Sequence, residues 1–494
     1  MNPRHSCLSS LLLAFAVHFG LGAPFASVVA AERVNVLMIA VDDLRPELGC
    51  YGKDYMSTPN IDALAARGIR FDRAYCQVAV CGASRASLLS GCRPETTDCW
   101  DYKTLLRSKM PNVVTLPQHF RNNGYETTFI GKVYHSPTDD PQGWSARPEQ
   151  LAPKERGKGK GYLLTSATKR VPHPTNKKLK HGPSTENGGD VPDSAYVDGH
   201  NADRAVSMLE QLSEGDKPFF FAVGFSKPHL PFNAPARYWD LYSRDEIEIP
   251  SREDVVDGVP YAKSGWGELK NYPDIPRDVD FLDDAKTREL IHGYRAATSY
   301  MDAQVGRVLA TLDRLKIRDN TIVVLWGDHG WYVGDFGDWC KHTNYEIATR
   351  VPLIVSLPPR FEIGNEASSE ALTEFVDLYP TLCELTGLVT PEHCQGTSFA
   401  PVLKSPSRPW KEAAFSQYKK SNRRQRLLGT SLRTARYRYT EWRDQKTGEL
   451  DATELIDFDV DPAATRNVAA DPNYASILPR LAELCKQSGT GIKP

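Results

Sequence analysis

From Val34 to Val41 the chain is almost continuously apolar and rich in β-branched residues, and it then stops at two acids, Asp42-Asp43. A run of this kind reads as a strand covered on both faces, the environment of a parallel sheet. Such a sheet requires helices on both sides, and the sequence supplies them. Thr58-Pro59 opens a helix with Thr58 as N-cap; Ile61, Leu64 and Ala65 mark its buried face, and Gly68 ends it. Val206, Leu209 and Leu212 mark a second helix, Phe219 to Phe225 a second buried strand, and residues 285 to 315 a long helix. Thr321 to Trp326 and Pro352 to Leu357 are further buried strands. The expected class is α/β, a large and mostly parallel sheet sandwiched by helices.

This pattern occupies residues 32–404 of the 494. Beyond Lys404, Pro406 and Pro409 break the chain, and short strands such as Tyr437 to Thr440 predict a smaller α+β subdomain over 405–494 with an antiparallel sheet. Residues 148–189 are rich in Gly, Pro, Lys and Arg and read as a basic surface insertion. At the other end, Arg4 and His5 precede the apolar stretch Leu11 to Val17, and a small-residue tract runs to Ala30-Ala31. That is the form of a secretory signal peptide over residues 1–31. Gly20, Gly22 and Pro24 interrupt the apolar run, and no later stretch approaches the roughly 20 apolar residues of a membrane span.

Export implies an oxidising compartment. Of 10 cysteines, Cys7 leaves with the signal, and the pairing of the others is not readable from spacing. Cys383 and Cys394 are near enough in sequence to close a small loop. No Cys-x-x-Cys or zinc spacing occurs. No Asn-x-Ser/Thr acceptor is present either, which favours a bacterial periplasm or secretion from a bacterium. The net charge of −2 offers nothing to nucleic acid or to a membrane surface.

The chemistry-bearing residues collect after the buried strands. Asp42-Asp43 follows the first, and Asp328-His329, flanked by Gly327 and Gly330, follows the strand ending at Trp326. Ligands of open α/β sheets gather beyond the carboxyl ends of strands. Two acidic groups brought together there repel unless a cation lies between them, and oxygen donors of this kind suit Ca²⁺ or Mg²⁺. Either pair alone also reads as a turn or a helix cap. Cys81-Gly82-Ala83-Ser84-Arg85 opens a helix through Ala86-Ser87-Leu88-Leu89, placing Cys81 where unpaired N–H groups cradle an oxyanion and Arg85 one turn inside. Alone, Cys81 is equally a disulfide partner for Cys50, Cys76, Cys92 or Cys99. Lys132 to His135, Lys227-Pro228-His229 and Lys341-His342 also follow strand ends or the Asp328-His329 loop. Singly these are surface charges and loop histidines. Jointly they offer cations for the oxygens of an anionic ester and an acid for its leaving oxygen.

Val41-Asp42-Asp43-Leu44-Arg45-Pro46, Thr58-Pro59-Asn60-Ile61-Asp62, the Cys81 stretch, Gly131-Lys132 to His135, Lys227-Pro228-His229 and Asp328-His329-Gly330-Trp331 occur in the order seen in sulfatases. The chain resembles that family from about Asn35 to Leu357. Glu454-Leu455-Ile456-Asp457 with Asp461-Pro462 and Asn467 resemble its C-terminal strand and turn. The resemblance implies an alkaline-phosphatase-like fold and a sulfuric ester hydrolase in which Cys81 is oxidised to formylglycine. The aldehyde hydrate carries two hydroxyls on one carbon: one attacks sulfur, and the other, on losing its proton, re-forms the carbonyl and expels sulfate. The resemblance further implies a calcium site of Asp42, Asp43, Cys81, Asp328 and His329. It implies that Arg85 steadies the hydrated aldehyde and that Lys132, Lys227 and Lys341 bind sulfate. In the same way, His229 protonates the leaving alcohol and His135 assists breakdown of the sulfated intermediate. Ala83 stands where the family's signature has proline, which leaves open the maturation system that converts Cys81.

The likeness is nearest to members that remove the 2-O-sulfate of a uronic acid at the end of a glycan. The partners it implies are a sulfated oligo- or polysaccharide and a formylglycine-generating enzyme. The insertion's Lys154, Arg156, Lys158, Lys160, Lys169, Arg170, Lys177, Lys178 and Lys180 form either a solvated loop or an electrostatic lip for such a polymer. Two other readings are a phosphodiesterase or phosphonate monoester hydrolase of the same superfamily, and a non-catalytic glycan-binding protein if Cys81 is not converted.

Overall fold

The computed structural model describes residues 33–136, 139–145, 161–163, 171–172, 180–252, 258–421, 425–489 and 491. The signal segment, and the basic insertion up to residue 179 except for 161–163 and 171–172, lie outside these residues. Val34–Pro494 forms one compact unit.

Its centre is a seven-stranded mixed sheet. In chain order its strands are β1 (Asn35–Val41), β2 (Ile69–Phe71), β3 (Glu126–Gly131), β4 (Phe219–Phe225), β5 (Thr321–Gly327), β6 (Leu353–Ser356) and β7 (Ser368–Ser369). Across the sheet the order is β7-β2-β6-β5-β1-β4-β3. The pairs β1–β5, β1–β4, β3–β4 and β2–β7 are parallel, whereas β6 runs antiparallel to β5 and β2. β1 is therefore central, with β5 and β4 beside it and all three ending on the same edge.

Period-two alternation sends successive residues of the three strands to opposite faces. Val36, Met38 and Ala40, with Val324 and Trp326, pack against Leu88 and Leu89 of helix α2 (Cys81–Ser90). Leu37, Ile39 and Val41, with Val323 and Leu325, pack against α3 (Val197–Ser213) and α4 (Asp284–Arg314) through Leu209, Val305 and Val308. Helix α1 (Pro59–Ala65) adds Ile61 and Leu64 to the latter face. Both faces are dry, which is why these strands read as unbroken apolar runs.

Local chemistry departs from expectation at two points. Thr58 does precede α1, but its hydroxyl accepts from the Gly49 N–H and donates to Asp62 instead of capping the helix. Gly68 is required by proximity, since a Cβ there would lie 2.4 Å from the Val355 carbonyl oxygen.

The last residues of the expected surface insertion are not a loop: Thr185–Asn187 pairs in parallel with Phe232–Ala234, and Ser184 and Glu186 are buried. Toward the C-terminus, β8 (Ala414–Ser421), β9 (Arg426–Arg433), β10 (Tyr437–Asp444) and β11 (Leu450–Asp457) form an antiparallel meander. One face holds Phe415, Leu432, Tyr439 and Leu455 under the helix Leu478–Cys485. Arg438 of β10 joins the meander to the main body through Glu346 at 2.6 Å. The described cysteines are all free thiols, Cys383 and Cys394 included. No helix among the described residues is long and apolar enough to cross a membrane. Leu325→Ala, which empties a fully buried position in β5, should cost about 2–5 kcal/mol, measured as a fall in the denaturant midpoint.

Candidate active site at the strand ends

β1 and β5 lie in parallel register, with Val41 opposite Gly327, so Asp42 and Asp328 emerge side by side. The Asp42 N–H donates to Phe225 O of β4 at 3.1 Å and the Asp328 N–H to Val41 O at 3.0 Å, extending the ladder one residue past the strands. Asp43 then turns into the left-handed region at φ 58°, a conformation uncommon for a residue with a Cβ. Its N–H donates to Asp328 Oδ1 at 3.0 Å, which holds the turn. On the other side of β4, Gly131 and Gly224 let β3 and β4 approach closely; a Cβ on Gly131 would lie 2.0 Å from Gly224 O. Lys132 emerges at that point.

Cys81 is the first residue of α2, as its sequence context predicts, and is 4% exposed. Arg85, one turn inside, is fully buried. Its Nε donates to Asp328 Oδ2 at 2.9 Å and its Nη2 to Asp42 Oδ1 at 3.3 Å. Its remaining donors reach the carbonyls of Lys132 and Val133. Ser84 Oγ donates to Asp328 O at 2.5 Å. The start of α2 is thus fastened to the ends of β5, β1 and β3.

Asp42, Cys81, Asp328 and His329 offer ligand atoms within 4.8 Å of one another, and so do Asp42, Asp43 and His229. His329 Nδ1 lies 2.9 Å from Gly330 O, which accepts its proton and leaves a lone pair on Nε2. Nε2 faces carboxylate oxygens of Asp43 at 3.4 Å and Asp328 at 3.6 Å. Burial, then Lys341, pushes His329 down to about 4, so the ring is neutral. His329 Nε2 and Asp43 Oδ2 are buried with no hydrogen-bond partner. Acceptors converging without a proton between them fit a hard divalent cation.

Burial disfavours charge on each acid. At Asp42 the Lys132 ammonium, then His229 and Arg85, outweigh it and hold the carboxyl well below the usual range. At Asp43 burial prevails over Lys341, and at Asp328 it prevails over Arg85 and pushes the group up to about 6. Burial pushes the Cys81 thiol up to about 12 against Lys132 and Lys341, so the unmodified side chain is not a thiolate at neutral pH.

A cleft of about 430 Å³ opens above Cys81, lined by His135, His229, Lys341, His342, Glu268, Tyr102 and Tyr418 among others. Lys132 ion-pairs with Asp42. Lys341 Nζ donates to Asp43 Oδ1 at 2.8 Å and lies 4.7 Å from the centre of the Trp331 ring. His135 lies against the Tyr102 ring, at 5.4 Å between centroids. Burial, then Lys132, pushes it down to about 4. His229 Nδ1 lies 2.6 Å from Leu230 O. Burial lowers His229, but Asp43 and Glu268 outweigh it and raise it above the ordinary value. Lys227 turns away from the cleft: its Nζ donates to His229 O at 2.8 Å and Pro231 O at 2.6 Å, bracing the loop that carries His229.

The chain thus brings Asp42, Asp43, Cys81, Arg85, Lys132, His135, His229, Asp328, His329 and Lys341 together around one point. Glu268, Tyr102 and Tyr418 are cleft residues that sequence reasoning missed. Tyr102 and Glu268 lie in segments with no strand-end signal, and Tyr418 lies within β8 of the C-terminal meander. His342 carried a signal, its place beside Lys341.

A parallel-centred sheet with this strand-end site and an appended antiparallel meander is an alkaline-phosphatase-like fold. The sulfatase family model matches residues 34–388, and the C-terminal model of N-sulphoglucosamine sulphohydrolase matches 327–489. The chain belongs to the sulfatase family and is a sulfatase, a hydrolase of sulfate esters. It is 32% identical to iduronate 2-sulfatase of Homo sapiens, over 93% of this chain and 95% of that one. It is 27% identical to Delta 4,5-hexuronate-2-O-sulfatase of Bacteroides thetaiotaomicron, over 93% and 89%. In fold it is similar to a phosphonate monoester hydrolase from Silicibacter pomeroyi, with TM-score 0.73, 24% identity and coverage of 93% and 96%.

A hundredfold excess of Ca²⁺ over its Kd should stabilise the protein by about 2.7 kcal/mol, read as a higher Tm than in chelator. Asp43→Asn and Asp328→Asn should lose most of that difference.

Proposed function

We propose that this sulfatase removes the 2-O-sulfate from a uronic acid residue of a sulfated glycan, with a formylglycine made from Cys81 and a calcium ion. The observation that carries the reaction is one cleft over Cys81 lined by Lys341, His135 and His229, with Lys132 close to Cys81 and paired with Asp42. The names of the two sulfatase relatives support the sugar and the position. A formylglycine-generating enzyme is the implied maturation partner. The signal-like sequence of residues 1–31 supports export, and the absence of an Asn-x-Ser/Thr acceptor supports a bacterial periplasm or medium as the destination.

Asp42, Asp43, Asp328 and His329, with the converted side chain of residue 81, would hold Ca²⁺, which when bound supplies a Lewis acid that lowers the pKa of the nucleophile. Arg85 steadies residue 81 by fixing the start of α2. Lys132 and Lys341 take the sulfate oxygens and offset the charge that develops on them. Two of the cleft histidines are shifted in opposite directions: His229, raised against burial by Asp43 and Glu268, gives a proton to the leaving sugar oxygen, while His135, lowered by burial and Lys132, is free to accept one during sulfate release. Lys227 acts through the loop that it braces.

Peptide mass spectrometry across Cys81 should find an aldehyde in place of the thiol, sulfur and two hydrogens lost for one oxygen gained, and Cys81→Ala should abolish turnover while keeping the unfolding midpoint. Retained turnover removes Cys81 as nucleophile. A desulfation screen of defined disaccharides should release sulfate from the uronate 2-position ahead of hexosamine 6- and N-positions. An aryl phosphodiester hydrolysed faster than an aryl sulfate would instead mark a phosphodiesterase.

A further inference from the structure

Glu268 sits inside the cleft and has no part in the reading above. Its Oε1 lies 2.9 Å from His229 Nε2 and its Oε2 3.0 Å from Lys341 Nζ. One carboxylate therefore spans the group assigned to the leaving oxygen and a group assigned to the sulfate. Its side chain is 22% exposed, so it borders the space where substrate enters.

The backbone that presents it is firmly placed. Ser264 N donates to Asp338 Oδ2 at 2.8 Å and Ser264 Oγ to Trp339 O at 2.8 Å. Trp266, Leu269 and Tyr272, on either side of Glu268, are buried in one cluster with Trp331 and Trp339. The Lys270 N–H closes the turn onto Trp266 O at 3.0 Å. The carboxylate is delivered from a packed turn, so it constrains the rings and ammonium that it touches instead of following them.

Around His229 the constraints are complementary. Leu230 O fixes the Nδ1 side of the ring, and Glu268 is the hydrogen-bond partner on the Nε2 side. Lys341 is held between Asp43 and Glu268. Without Glu268 the ring keeps a partner on one side only, whereas Lys341 keeps its contact with Asp43.

Resting on the sulfatase reading, we infer that Glu268 is a positioning residue: it holds the Nε2–H edge of His229 in the cleft, where the leaving-group oxygen takes that proton over from the hydrogen bond to Glu268 as the S–O bond breaks. The effect depends on the ester. A sugar alkoxide must receive a proton as the S–O bond breaks, whereas a nitrophenol leaves as its anion. A residue that acts through the proton donor is felt with the first and not with the second.

The test compares wild type and Glu268→Gln on 4-nitrophenyl sulfate and on the disaccharide desulfated fastest in the screen above. The variant should lose roughly 100-fold in kcat on the disaccharide, the low end of what a positioned general acid contributes, and less than about 5-fold on the aryl sulfate. Equal losses on both substrates, or no loss on the disaccharide, overturn the inference. If Glu268→Gln does not fold, Glu268→Asp replaces it, and the same difference between the substrates decides. A wild-type enzyme inactive on both substrates refutes the sulfatase mechanism itself; an active wild type with a uniform loss in the variant refutes only the role of Glu268.

Discussion

The rest of the site depends on the buried guanidinium of Arg85. It spans Asp42 and Asp328 and reaches the carbonyls that follow β3. Its planar fork of five donors suits a setting in which several acceptors arrive from different strands; a lysine ammonium would not reach them all. Taking these charges out of water is costly, and removing one partner of such a cluster typically costs 3–5 kcal/mol because the others are left uncompensated. The contact orders two acids, the first turn of α2 and the loop of Lys132 in one step. The position of Cys81 follows from it.

Above that clamp the charges are layered. Asp42, Asp43, Asp328 and the His329 lone pair lie together at the strand ends. Lys341, His135 and His229 stand at the wall of the cleft, with Glu268 beside them. The strand-end layer suits a cation and the cleft-wall layer an anion, and residue 81 lies where they meet. The layering is a product of topology. β1, β4 and β5 end on one edge, β1 and β5 with acids at the first positions beyond the strands, while the loops after β3, β4 and β5 bring basic groups over them.

The strands were legible because they are covered on both sides, and their apolar runs match the observed limits closely: Phe219 to Phe225 coincides, and Thr321 to Trp326 is one residue short. The acids at their ends were legible for the same reason, since the end of a buried run fixes where the next residue emerges. The direction of a long side chain was not. Lys227 stands at a strand end like Lys132, yet it turns back onto its own loop. Glu268 was invisible because it comes from a turn whose placement rests on distant tryptophans, not on its own pattern. Tyr418 lies in a strand whose alternation cannot say which face meets another sheet. Thr58 was placed correctly and its partner was not, since Gly49 competes for the hydroxyl.

The cleft draws on residues as far apart as Val80 and Tyr418. Contacts of such sequence separation form late, after long loops have closed. On the ribosome the first strand must wait for both of its neighbours, β4 and β5, and Tyr418 must emerge before the cleft has its last wall. Appearance of hydrolysis during synthesis would therefore date the docking of the C-terminal meander, and a growing polypeptide would stay catalytically silent for most of its elongation.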